Sequence, residues 1–190
     1  MRKSMKKIVS AVIATLTVAT LTLTAFAVDY AAMPEYNATP AQTVSITTDE
    51  LSDAVSNVEE GSAVSVSVES VGALTISPSV VKKIDETGTD LEIVSPQATI
   101  SIDADTIEKV GKINLSMHIY GNKDRIVVKM RSKKDLGCEA KITLTDCKMS
   151  EEALANANLY CNGKKVGPVE VDENGYPVIT VTEGGTYVIK

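Results

Sequence analysis

The sequence predicts a β-rich α+β protein in which three strand–short helix–strand units run into a C-terminal antiparallel β module. Three observations predict it. Val28 to Lys190 holds 20 Val and 13 Ile against 8 Leu, an excess of β-branched residues that suits pleated, half-buried surfaces. One grammar recurs around Ile46, Ile76 and Ile102. Asn162-Gly163 and Glu173-Asn174-Gly175 are hairpin signals between alternating segments.

The first 27 residues read as a targeting segment rather than as part of this fold. Arg2, Lys3, Lys6 and Lys7 precede an uncharged run from Ile8 to Ala27 that closes on Ala25-Phe26-Ala27. Basic, apolar and small-x-small parts in that order form a secretory signal, with cleavage expected after Ala27. A retained membrane anchor is the competing reading, since such a run is long enough to span a bilayer. Cleavage removes four positive charges and leaves 15 basic and 25 acidic residues, so the formal charge of −6 becomes −10. That acidity argues against nucleic acid as a partner. Residues 28–43, with two prolines and no sustained period, read as a flexible leader.

The repeat region covers residues 44–120. Each anchor isoleucine closes a strand, and Thr47, Ser77 and Asp103 follow as helix-capping residues. Ser77-Pro78 places proline at the first helical position. Leu51 with Ala54, Val81 with Ile84 and Ile107 with Val110 form i, i+3 pairs expected to face the core. Gly61, Gly88 and Gly111 end the helices. The strands that follow alternate: Val64, Val66 and Val68 on one face, then Leu91 and Ile93, then Ile113, Leu115, Met117 and Ile119. Tight returns are expected near Ser70-Val71-Gly72 and Ser95-Pro96-Gln97.

Residues 121–190 read as an antiparallel β region, either sharing one core with residues 44–120 or separate from it. Strands are expected at Arg125 to Arg131, Glu139 to Thr145, Leu159 to Cys161, Val166 to Val171, Val178 to Val181 and Thr186 to Ile189, with a single helical turn at Ser150 to Leu154. A fold that finishes on a strand is expected to pair that strand in a sheet.

Three segments carry a family resemblance: Ile76-Ser77-Pro78-Ser79-Val80-Val81, Ile102-Asp103-Ala104-Asp105-Thr106-Ile107 and Gly185-Thr186-Tyr187-Val188-Ile189. They resemble non-catalytic β-rich modules of secreted and cell-surface proteins from Gram-positive anaerobes, the kind found beside S-layer homology or dockerin domains. The likeness covers most of Val44 to Lys190. The chain carries neither an S-layer homology repeat nor a dockerin's duplicated Asp-rich loop. The resemblance implies an extracellular compartment and an absence of chemistry, and it assigns no site residues.

Among candidate sites, a basic strand face stands first. A four-residue turn at Gly121 to Asp124 would pair Tyr120 with Arg125, His118 with Val127 and Ser116 with Lys129. His118, Tyr120, Arg125, Lys129 and Arg131 would then point outward with Lys123 nearby. Such a patch suits an anionic wall polymer, another envelope protein or the acidic half of a second copy. It also suits a merely solvated face whose Lys and Arg discourage edge pairing. Val28 to Val110 has 3 basic and 15 acidic residues, and Gly111 to Lys190 has 12 and 10, so the positive charge is local.

Cys138, Cys147 and Cys161 form an odd set. Cys138 and Cys147 flank one expected strand, about 30 Å apart at the strand rise, beyond disulfide reach. Either Cys161 bonds one of them or all three stay reduced. No metal or cofactor is expected: Asp103-x-Asp105 and Asp172-Glu173-Asn174-Gly175 lack the spacing of a calcium loop. His118 has no Ser, Cys or metal motif to serve. The expected function is a secreted, non-catalytic binding or structural protein of a bacterial cell envelope or exoproteome. The alternative is a small extracellular hydrolase or enzyme accessory with a spatially assembled carboxylate pair.

Overall fold

The computed structural model describes residues 63–132, 134–146 and 149–190, together with the backbone course of 14–16 and 44–46. The protein is β-rich α+β. Its strands are β1 (Ala14–Leu16), β2 (Val44–Ile46), β3 (Ala63–Ser67), β4 (Leu74–Ile76), β5 (Asp90–Val94), β6 (Thr99–Ile102), β7 (Ile113–Asn114), β8 (Met117–Asn122), β9 (Arg125–Met130), β10 (Asp135–Thr143), β11 (Asn158–Cys161), β12 (Lys164–Pro168), β13 (Glu170–Val171), β14 (Pro177–Glu183) and β15 (Thr186–Ile189). Among the described residues the helices are α1 (Pro78–Thr87) and α2 (Glu151–Ala155), with one 3₁₀ turn at Ala104–Thr106. Three sheets form: β1-β3-β5-β6-β10-β14-β13, β12-β11-β15-β9-β8 and β2-β4-β7.

The seven-stranded sheet holds the aliphatic centre. Its registers align Val64, Leu91, Ile102, Ala140 and Val181 in one row across five strands, and Val66, Ile93, Ile100, Ile142 and Ile179 in another. Every one of these residues is buried. Side-chain period 2 makes such rows the unit of sheet stabilisation. β3 and β5 run parallel, which requires a crossover; β4 and α1 supply it. α1 forms where expected, because Ser77 Oγ accepts from the Val80 N–H at 3.4 Å and Pro78 opens the first turn. Gly88 at φ 59° ends it in left-handed geometry. Val80, Val81 and Ile84 on α1 are buried.

Local hydrogen bonds decide the loops. Ser95 closes the β5–β6 return: its hydroxyl donates to the Ala98 carbonyl at 2.7 Å and accepts the Ala98 N–H at 3.1 Å. Asn162 (φ 49°) and Gly163 (φ 83°) turn β11 into β12, the left-handed pair a two-residue hairpin needs. Asp172 Oδ1 accepts from Asn174 and Tyr176 and closes the turn between β13 and β14.

Several local expectations differ from the structure. A helix with Ile107 and Val110 facing inward is replaced by the 3₁₀ turn, and Val110 is 43% exposed. Competing partners explain this. Asp90 accepts the Ala104 N–H, Asp103 accepts the Asp105 N–H, and the Gly137 carbonyl takes the N–H groups of Glu108 and Lys109. The Ser70–Gly72 return carries the chain from one sheet to another, since β3 and β4 lie in different sheets. The run from Ile113 to Ile119 is broken at Ser116, which is buried and donates its hydroxyl to the Leu74 carbonyl at 3.0 Å. Val166 to Val171 likewise divides, with β12 and β13 in different sheets.

β8 and β9 pair with a register two residues from the expected one: His118 opposes Lys129, Tyr120 opposes Val127 and Asn122 opposes Arg125. Asn122 Oδ1 accepts from Asp124 and Arg125 and tightens the loop to two residues. A two-residue shift leaves every side chain on its expected face.

Residues before and after position 120 share sheets, as β6 pairs with β10 and β8 with β9. Buried side chains from α1 and from each of the three sheets belong to one hydrophobic cluster running from Val64 to Ile189. β15, the last strand, sits between β11 and β9.

Candidate functional site

The five-stranded sheet turns Met117, Ile126, Val128, Met130, Leu159, Tyr187 and Ile189 to the core. Its other face follows from the registers. One row crosses all five strands as Tyr120, Val127, Val188, Tyr160 and Lys165. The next row holds His118, Lys129 and Thr186. On the opposite side of the first row stand Asn122 and Arg125, with Lys190 exchanging backbone hydrogen bonds with Asn158.

Charge separates by sheet. The strands β8, β9, β11, β12 and β15 contain no Asp or Glu, while they carry Arg125, Lys129, Lys164 and Lys165. Arg131 and Lys190 extend β9 and β15. The seven-stranded sheet has the reverse balance, with Asp90, Glu92, Asp135, Glu139, Glu170 and Glu183 against Lys141. Among the described residues the ion pair that forms is Lys82–Glu86 on α1, so the cations of the five-stranded sheet carry no carboxylate partner there.

The structure brings most of the expected residues together. His118 and Tyr120 on β8 adjoin Lys129 and Arg125 on β9, and Arg131 Nη2 lies 3.4 Å from His118 Nε2. Lys123 lies apart, in the loop, where its carbonyl accepts the Ser150 N–H that leads into α2. Tyr120 is 52% exposed. Val127 is 2% exposed although it lies outside the core cluster, so the side chains around it on this outer face cover it. Tyr160, Lys165 and Lys190 belong to the same face and escaped the sequence reading. Lys190 Nζ stands 4.6 Å from the Tyr160 ring centroid. The signal that could have found them is the absence of acids from every strand concerned.

A second concave feature is acidic. A cavity of about 540 Å³ is lined by Asp105, Glu108, Asp135, Cys138, Glu139 and Glu183, among others. A smaller one of about 200 Å³ adjoins it at Asp90, Asp103, Glu139 and Lys141. Burial raises the Asp90 carboxyl above its ordinary range; the Ala104 N–H opposes that, and the charges of Asp103 and Asp105 add to it. Asp103 and Asp172 are occupied in turns, and no group of three or more His, Cys, Asp or Glu suited to a metal forms among the described residues.

Cys138 lies within β10, not at its end, and is buried. Burial, aided by the Asp135 charge, pushes its thiol up to about 11, which keeps it protonated and unreactive at neutral pH. Cys138 and Cys161 are free thiols on different sheets, and Cys147 lies outside the described residues. Tyr187, beside Cys161, has its phenol raised chiefly by burial and donates to the Glu183 carbonyl at 2.7 Å.

No known family model and no curated protein matches the chain. Among the described residues no helix is long and apolar enough to cross a membrane.

Proposed function

We propose that the protein is a secreted, non-catalytic binding module of a bacterial envelope or exoproteome, holding an anionic polymer on the outer face of its five-stranded sheet. The observation that carries this reading is the acid-free sheet: Arg125, Lys129, Arg131, Lys165 and Lys190 share a surface without an acidic residue on its strands. Clustered like charge raises the local potential and attracts polyanions even when the whole chain is acidic. Secretion rests on the layout of Arg2 to Ala27; cleavage there would remove β1 and leave β3 at the edge of its sheet. The Gram-positive setting rests on the resemblance carried by residues 76–81, 102–107 and 185–189. The three-unit repeat belongs to the same proposal. The capped helix between β4 and β5 supports it; a 3₁₀ turn stands where the third helix is expected, and residues 47–61 of the first unit lie outside the described residues. The test is co-sedimentation with purified cell wall at low and moderate salt. Pelleting at low salt that fades at moderate salt is expected, and a protein that stays in solution at low salt contradicts it.

One observation favours a second reading, a small hydrolase or enzyme accessory: the cavity where Asp105, Glu108, Glu139 and Glu183 converge. Among the described residues no aromatic ring lines it as a sugar platform, which ranks it below the binding reading. Release of new reducing ends from wall glycan, abolished by Glu139→Gln, would establish it.

A further inference from the structure

The outer face of the five-stranded sheet is not uniformly cationic, and its pattern bears on what it holds; the inference rests on the anion-binding reading above. The row that crosses all five strands runs Tyr120, Val127, Val188, Tyr160, Lys165. Of its first four members Tyr120 is half exposed, Val188 and Tyr160 are partly exposed, and Val127 is covered by its neighbours. At about 4.8 Å between neighbouring strands the two tyrosines stand about 14 Å apart. Cations flank this strip on both sides: Lys129 and Arg131 with His118 along one edge, Arg125 and Lys190 along the other. The two rings differ. Lys190 already stands over the Tyr160 ring, whereas Tyr120 is half exposed with no ring or cation contact among the described residues.

An apolar strip with charged margins matches a ligand of the same construction. A chain of sugar rings has apolar ring faces, and carboxylate or sulfate groups place negative charge at their edges. A tyrosine lends an apolar body to such a ring face and a polar tip to its rim. A bare phosphate chain would satisfy the cations and leave Tyr120 and Val188 against water. We propose that the face binds a linear acidic polysaccharide laid across the strands, with Tyr120 as the stacking platform and Lys129, Arg131, Arg125 and Lys190 as its anion contacts. No bond is made or broken.

Affinities of the purified protein for polygalacturonate and for inorganic polyphosphate, at one low salt concentration, test this. The wild type is expected to bind polygalacturonate more tightly. Tyr120→Ala is expected to weaken polygalacturonate binding roughly tenfold and to change polyphosphate binding less than about twofold. Lys129→Gln is expected to weaken both. Far-ultraviolet circular dichroism checks that each variant folds, and Tyr120→Phe, which keeps the ring, is expected to retain the preference. If polyphosphate binds as tightly as polygalacturonate, or Tyr120→Ala affects both alike, the polysaccharide assignment is overturned and the anion-binding reading survives. If neither polymer binds, both fall; salt-dependent self-association in that case would assign the face to the acidic side of a second copy.

Discussion

His118 stands directly opposite Lys129 across β8 and β9, and Arg131 reaches the same imidazole at 3.4 Å. Lys129 and Arg131, two residues apart on one face, repel each other, and no carboxylate among the described residues relieves this pair. The arrangement therefore costs stability unless something anionic covers it. Lys129→Gln should leave the free protein at least as stable as wild type, with a change within about 0.5 kcal/mol, while weakening pelleting with cell wall. Thermal melts beside co-sedimentation separate the two effects.

The loop that sets this register depends on Gly121. A Cβ there would come within 2.6 Å of the Arg125 carbonyl oxygen. Gly121→Ala must push β8 away from β9 or open the loop, so a loss of about 1–3 kcal/mol is expected. Chemical denaturation measures it, and a neutral result would show that the edge strand moves freely.

At the centre of the seven-stranded sheet, Ile142 lies between Ile100 and Ile179 and is fully buried. Truncation there removes apolar contact and leaves a cavity. Ile142→Ala should cost about 2–5 kcal/mol in urea unfolding, without changing which polymers the folded protein binds.

The Asp90 carboxyl gives a pH dependence of known sign. Its folded-state value is raised, first by desolvation, so its contribution to stability is present below the ordinary Asp range and is lost as pH rises through the folded value. Asp90→Asn keeps an acceptor for the Ala104 N–H and removes the charge facing Asp103 and Asp105. The variant should melt above wild type at pH 7, and the difference should vanish below about pH 4. A constant difference across that range would remove ionisation as the cause.

Cys138 offers a probe of the fold near the acidic cavity. Its buried, protonated thiol should resist alkylation at pH 8 in the native protein and react in denaturant. Rapid native labelling at Cys138, located by peptide mass, would place it at the surface instead.

Elements with local causes were legible in the sequence. Ser77-Pro78 and Gly88 bracket α1 because cap, proline and left-handed glycine act within the segment itself. Asn162-Gly163 makes its hairpin for the same reason. What failed depends on partners far along the chain. The segment after Ile102 gives its N–H groups to Gly137 rather than to a helix. Ser116 interrupts a strand by bonding to Leu74, forty-two residues away. The face itself was half legible: alternation placed His118, Tyr120, Lys129 and Arg131 on one side. Tyr160, Lys165 and Lys190 joined them only through β15, which bridges β9 and β11.

Charge reversal on this face tests the account most directly. Binding of the wild type and of the Lys129→Glu, Arg131→Glu double variant to purified cell wall at low salt should be compared. The account predicts that the wild type pellets and the double variant, folded by circular dichroism, stays in solution. Equal pelleting of the two would contradict it.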